Sequence, residues 1–145
     1  MKANAEIEAG VMATLNKFSK TYEQRDMEGV LSVLIPNSDV IVIGTGQDEK
    51  RIGIDAVRLQ LERDLSQTDV VSMEILQHMI SAAGKMAWMT ADIVVRAMAG
   101  GQEIDLPARL TVVLEQREKR WLIAQWHMSV PSAGQNEGES FSASG

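Results

Sequence analysis

The chain of 145 residues contains no cysteine, which excludes disulfides, thiolate metal sites, iron–sulfur clusters and cysteine nucleophiles. Histidine is almost as scarce: His78 and His127 are the only two, and without cysteine they make no metal-ligand cluster. Basic residues are the minority, 14 against 20 acidic, and the net charge of −6 repels phosphate backbones and anionic lipid. Neither nucleic acid nor a membrane is an expected partner. No apolar run approaches the roughly 20 residues of a membrane span. Met1 to Glu6 lack the apolar centre of a signal peptide, so a soluble, cytoplasmic protein is expected.

What remains is ordinary globular material, 45% hydrophobic and 23% charged, of a length suited to one domain. From Asn4 to Asp26 the residues Ile7, Val11, Leu15, Phe18 and Tyr22 recur every three or four positions, one stripe of a helix. Asp26 is placed to cap a second, short helix through Val30, Leu31 and Leu34, ended by Pro36. Asp39 to Ile43 is β-branched and predicts a buried strand closed by Gly44-Thr45-Gly46, with a polar loop from Gln47 to Arg51. A third helix is expected from Asp55 to about Ser66, with Val57, Leu61 and Leu65 inside and Arg58, Glu62, Arg63 and Asp64 exposed.

Beyond Asp69 the period becomes two. Strands are expected at Val70 to Ser81, Lys85 to Met98, Glu103 to Glu115 and Arg120 to Val130, joined as an antiparallel meander. Residues 1–131 form the expected domain; 132–145, mostly Ser, Gly and Ala, form an expected flexible tail. Helices first and long strands last is an α+β order, in which the sheet must curl around the helices and leave a cavity.

In the last strand Leu122, Ala124, Trp126, Met128 and Val130 form the apolar set that should face the helices. The mixed set, Trp121, Ile123, Gln125, His127 and Ser129, continues on the preceding strand as Arg109, Thr111, Val113 and Glu115. A face of this composition is too apolar for bulk water and too polar for a core, and predicts a homodimer through Arg109, Thr111, Trp121, Ile123 and His127. On the strand from Lys85, Ala87 to Ala97 make one apolar side and Trp88, Thr90, Asp92, Val94 and Arg96 the other. Periodicity does not decide whether that second side points into the cavity or outward.

The stretches Val42 to Glu49, Gly53-Ile54-Asp55-Ala56, Ala87-Trp88, Arg109-Leu110-Thr111 and Trp121 to Pro131 together resemble SnoaL-like domains of the nuclear transport factor 2-like superfamily. The ending His127-x-Ser129-x-Pro131 is also similar to the association domain of calcium/calmodulin-dependent protein kinase II. The resemblance covers about Glu6 to Pro131 and implies a cone: a strongly bent antiparallel sheet over three helices, with a pocket at the open end and dimerisation through the sheet. The Arg117-Glu118-Lys119-Arg120 turn departs from the Asp-Gly that the family often places there. The superfamily spans isomerases, dehydratases, cyclases, epoxide hydrolases and binding modules, so the resemblance implies ligand size more than chemistry.

Gly44-Thr45-Gly46 lacks the third glycine of a dinucleotide fingerprint, Glu49 standing in its place, and suggests a sharp turn rather than a phosphate cradle. No cofactor is implied. His127 and Ser129 lie roughly 6 to 7 Å apart on one strand face, too far for direct proton transfer, and no nucleophile elbow surrounds the serine. Proton-transfer chemistry would need a carboxylate base and an oxyanion donor, and Asp92 with Tyr22 are the candidates. Asp48 and Glu49 are expected near the pocket mouth, solvated. The nine methionines fill either a core or a plastic pocket. The leading expectation is a homodimeric binder of a small organic molecule, its apolar pocket lined by Trp126, Met128, Tyr22, Trp88, Thr90 and Asp92. The alternatives are an isomerase, dehydratase or cyclase using carboxylate acid/base chemistry, and an oligomeric assembly module.

Overall fold

The structure, a computed structural model, describes residues 1–141. Helix α1 spans Ala5–Glu23. It starts where the Asn4 side chain accepts the Ile7 N–H at 2.9 Å, with Glu6 and Glu8 in its first turn and Lys20 in its last, all favourable to the helix dipole. Arg25 turns the chain at φ 61° and Asp26 accepts the Gly29 N–H at 3.0 Å, capping α2, Met27–Leu31. The short helix ends before Leu34. Leu34 instead bridges in parallel to Ile123 of the last strand, with Ile123 N–H donating to the Val33 carbonyl at 2.8 Å and Ile35 N–H to the Ile123 carbonyl at 2.9 Å.

Strand β1, Ile41–Ile43, is followed by β2, Lys50–Ile52, which pairs with it antiparallel where only a polar loop was expected. Gly53, at φ 89°, opens α3, Ile54–Gln67. Four long strands complete the chain: β3, Val70–Ala83; β4, Met86–Ala99; β5, Gln102–Arg117; and β6, Arg120–Ser129. They form the expected meander within one sheet of order β2-β1-β6-β5-β4-β3, and β1 joins it parallel to β6. The result is an α+β fold in which a curved antiparallel sheet wraps the N-terminal helices. Residues 130–141 form no helix or strand and are exposed; the remainder of the expected tail lies outside the described residues. No described helix is long and apolar enough to cross a membrane.

The concave face is the apolar one because the helices must bury their stripes against it. On β4 the residues Ala87, Met89, Ala91 and Ile93 are buried, whereas Thr90, Asp92 and Arg96 are exposed and Trp88 and Val94 half-buried. The mixed side of β4 therefore points outward. On β6 the simple alternation fails. Val113 pairs with Gln125 but Leu114 pairs with Ile123, so Ala124 is an extra residue that resets which parity faces the helices. Trp121 and Ile123, expected on an outer dimer face, are 5% and 0% exposed and belong to the core with Leu15, Leu110 and Leu114. Two contacts lock the reset strand to α1. Thr14 Oγ1 donates to the Trp121 carbonyl at 2.5 Å, and the indole lies so close to Gly10 that a Cβ there would sit 2.7 Å from Trp121 Cδ1.

Because Ile123 is core, Ile123→Ala should cost about 2–5 kcal/mol in urea unfolding, the range for truncating a fully buried aliphatic side chain. A cost below about 0.5 kcal/mol, normal for a surface position, would return Ile123 to the outer face.

Candidate functional site

The helices leave one end of the concave sheet uncovered, and a cavity of about 370 Å³ opens there. Its walls come from the end of α1, one flank of α3, the inner faces of β3 to β6, and the segment after β1. Trp126 stacks on Phe18 with ring centroids 4.2 Å apart, and Phe18 stacks on Tyr22 at 5.9 Å, so three rings form a ladder along one wall. Val57, Leu61, Val71, Met73, Leu106 and Met128 supply much of the remaining apolar lining.

One pole of the cavity is polar. The Tyr22 hydroxyl donates to Asp64 Oδ2 at 2.8 Å, and Gln60 Nε2 donates to Asp64 Oδ1 at 2.7 Å. Behind them, Gln60 Oε1 accepts from Arg51 Nε at 2.9 Å and from Arg63 Nη2 at 3.3 Å. Arg63 also grips Asp48 through both terminal nitrogens, at 2.7 and 3.2 Å, and reaches Glu49 Oε1 at 3.3 Å. The chain of hydrogen bonds thus runs from the half-buried tyrosine to the surface loop, and beyond Tyr22 every group in it belongs to α3 or the segment around β2.

This arrangement shifts the acidities. Burial pushes the Tyr22 hydroxyl well above the ordinary tyrosine range, and the adjacent Asp64 charge pushes it further. Burial also raises the Asp64 carboxyl, against the pull of its hydrogen bonds from Tyr22 and Gln60. On the surface the Arg63 guanidinium holds Asp48 below the usual carboxylate range.

The turn at Gly44-Thr45-Gly46 serves the same pole. The Glu49 side chain folds back across both glycines: a Cβ on Gly44 would fall 2.0 Å from Glu49 Oε2, and a Cβ on Gly46 2.9 Å from the Glu49 carboxyl carbon. Gly46 N–H donates to Glu49 Oε2 at 3.2 Å. The glycines make room for a carboxylate of the chain itself, which places Glu49 in the cavity wall, half-buried.

Of the residues singled out from the sequence, Tyr22, Trp126 and Met128 line the cavity. Trp88, Thr90 and Asp92 do not, because they sit on the convex side of β4. Thr90 and Asp92 instead border a surface groove with Leu76 and Met79, and the sheet separates Asp92 from Tyr22. The carboxylate that meets Tyr22 is Asp64, which the helical pattern had assigned to the exposed side of α3. Gln60 and Asp64 were not among the expected site residues, whereas Glu49, expected solvated near the pocket mouth, is half-buried in the cavity wall. A trace was present, since Gln60 and Asp64 stand four apart beside the Val57 and Leu61 stripe, where one helix flank borders the core. The methionines divide: Met73 and Met128 line the cavity, Met89 is core, and Met79 is 78% exposed.

The fold is shared with many solved structures. A proposed dehydratase of the NTF2-like family from Streptomyces avermitilis matches with a TM-score of 0.81 at 16% identity, over 90% of this chain and 100% of that one. A proposed aromatic ring hydroxylase from Novosphingobium aromaticivorans matches with a TM-score of 0.81 at 13% identity, over 90% and 93% of the two chains. A proposed calcium/calmodulin-dependent protein kinase II association domain from Xanthomonas campestris gives 0.75 at 20% identity, over 85% and 86%. At such identities these likenesses show the fold alone. No curated protein matches the chain. The model of the SnoaL-like domain matches residues 11–133, most of the chain, and the chain belongs to the SnoaL-like family.

Proposed function

We propose that the protein binds a small, mainly apolar organic molecule in the cavity beside α3. The observation that carries this reading is the cavity itself. About 370 Å³ of space is walled by aliphatic, thioether and aromatic side chains, with one hydrogen-bonded polar pole at Tyr22 and Asp64. Such a balance orients a ligand by one or two polar atoms while its body displaces water from apolar surface. An empty core of this size lined only by aliphatic groups would cost stability.

A second reading, catalysis, is favoured by one observation. Asp64 is a carboxylate made more basic by burial, in direct hydrogen bond with a phenol, inside a cavity large enough for a substrate. This is the equipment of carboxylate acid/base chemistry, as an isomerase, dehydratase or cyclase would use it. Asp64 takes the role that the sequence suggested for Asp92, with Tyr22 as its partner. The dehydratase proposed from Streptomyces avermitilis is consistent with this chemistry.

We further propose a homodimer through the convex face, centred on the cross-strand row Thr90, Thr111 and His127 with Arg109 beside it. Half-buried Trp88, Val94 and Val113 lie on the same face and supply its apolar share. Trp121 and Ile123 take no part.

Three measurements test these readings. A ligand in the cavity should change Trp126 emission, so the response of a metabolite screen should vanish in Trp126→Phe and persist in Trp88→Phe, whose ring lies outside; a screen that moves neither emission nor Tm removes the binding reading. Asp64→Asn should abolish any turnover, and it also has a pH signature. The folded-state carboxyl titrates above the ordinary value of 3.8, so the folded chain holds that proton more tightly than the unfolded one. The contribution of Asp64 to stability is thus fully present below 3.8 and is lost as pH rises through the folded-state value. Between about pH 3 and about pH 7 the Tm of Asp64→Asn should therefore gain on the wild type, and a parallel pair of curves would show an unburied carboxylate. For assembly, light scattering should give twice the chain mass, reduced to one by Thr111→Arg; rings would favour the assembly module, and a monomer would remove the dimer.

A further inference from the structure

The charged groups that face the cavity are of one sign. Asp64 and Glu49 both line it, and among the described residues no lysine, arginine or histidine does. The nearest cations are turned away and engaged. Arg51 donates to Gln60 Oε1, Arg63 is held by Asp48 and Glu49, and Arg25 donates to the backbone carbonyls of Leu65, Thr68 and Asp69 at the end of α3. A carboxylate ligand would therefore meet the Asp64 carboxylate, with Glu49 already paired to Arg63 beside it, in a space of low polarity and find no cationic side chain lining the cavity. The Tyr22 hydroxyl proton, which could have received it, is already given to Asp64.

The same wall suits a positive charge. Each Asp64 oxygen accepts one hydrogen bond and keeps further acceptor capacity, and the Tyr22 oxygen keeps its lone pairs. An ammonium at this pole would donate to both. The Phe18, Tyr22 and Trp126 rings add the negative potential of their faces within the same cavity. Val71, Met73 and Leu106 add apolar surface to the same cavity. The geometry points to a ligand with a protonated amine at one end and an apolar body behind it, and we propose that the cavity selects such amines over carboxylates of the same skeleton. The proposal rests on the reading of the cavity as a ligand site and adds to it the charge of the ligand.

Burying an ammonium is itself costly, and an unpaired one would not be held. Here it would neutralise a carboxylate that the fold already holds half out of water, so part of the desolvation cost is shared between the two ions. The second carboxylate, Glu49, cradled by Gly44 and Gly46, is paired with Arg63 through Oε1 and adds a weaker attraction, the part of its charge that Arg63 does not offset.

The test uses three probes of one skeleton, phenylbutylamine, phenylbutanol and phenylbutyrate, titrated into the full-length protein by calorimetry and by Trp126 emission. The amine should bind at least about tenfold more tightly than the carboxylate, with the alcohol between them. In Asp64→Asn the amine-to-alcohol affinity ratio should fall by about tenfold, and Glu49→Gln should lower it to a smaller extent. Glu49→Gln keeps the shape of the side chain over the glycines, so it serves if the buried substitution impairs folding. A carboxylate that binds as well as the amine, or a ratio unmoved by both substitutions, overturns the selectivity while leaving a ligand cavity in place. If none of the three probes binds, the cavity reading itself falls, and the selectivity with it.

Discussion

A shortage of helix governs this molecule. The concave face of the sheet must be covered by apolar stripes, yet α1 has 19 residues, α3 has 14 and α2 only 5. At the rise of an α-helix the longest of these reaches roughly 28 Å. Strand β5 has 16 residues, which would extend to roughly 50 Å if straight. Helices of that length cannot cover such strands end to end, so the sheet bends over them and one end of its inner face stays open. The cavity is that remainder, and its apolar walls are the part of the core surface for which the chain has no covering helix.

The polar pole follows from the same geometry. Where α3 leaves the core, its flank passes from Val57 and Leu61 to Gln60 and Asp64, and the last turn of α1 brings Tyr22 against it. A carboxylate half out of water requires donors, and it has two, from Tyr22 and Gln60. Gln60 in turn is fixed by Arg51 and Arg63 from outside. The surface charges therefore hold the buried ones in place at second hand, and the orientation of the pole depends on a loop, Gly44 to Glu49, whose two glycines exist to admit a side chain. Hydrogen bonds thus link the mouth of the cavity to its polar pole.

Much of this was legible in the sequence, and the losses have local causes. The stripe from Ile7 to Tyr22, the cap at Asp26 and the period-two strands each express a short-range rule, and each element formed close to its expected span. Two failures came from bulges and pairing. The extra Ala124 in β6 reversed the parity of Trp121 and Ile123, and hydrogen bonding to Ile123 drew Leu34 out of its expected helix. A third failure, Asp64, came from reading a charged residue on a helix as solvated when a neighbouring helix supplied its partner.

The sequence by itself determined the order of elements, the sidedness of the long strands away from their bulges, and the family signature, because these depend on neighbours within about four residues along the chain. Only the tertiary structure decided which carboxylate meets Tyr22, that Asp92 faces outward, and that among the described residues the charged groups lining the cavity are Asp64 and Glu49. Those outcomes depend on residues far apart in sequence, such as Tyr22 and Asp64, and on where the sheet bends. Periodicity records which side of a strand is apolar, but the side chain that arrives opposite is chosen by the packing of the whole chain.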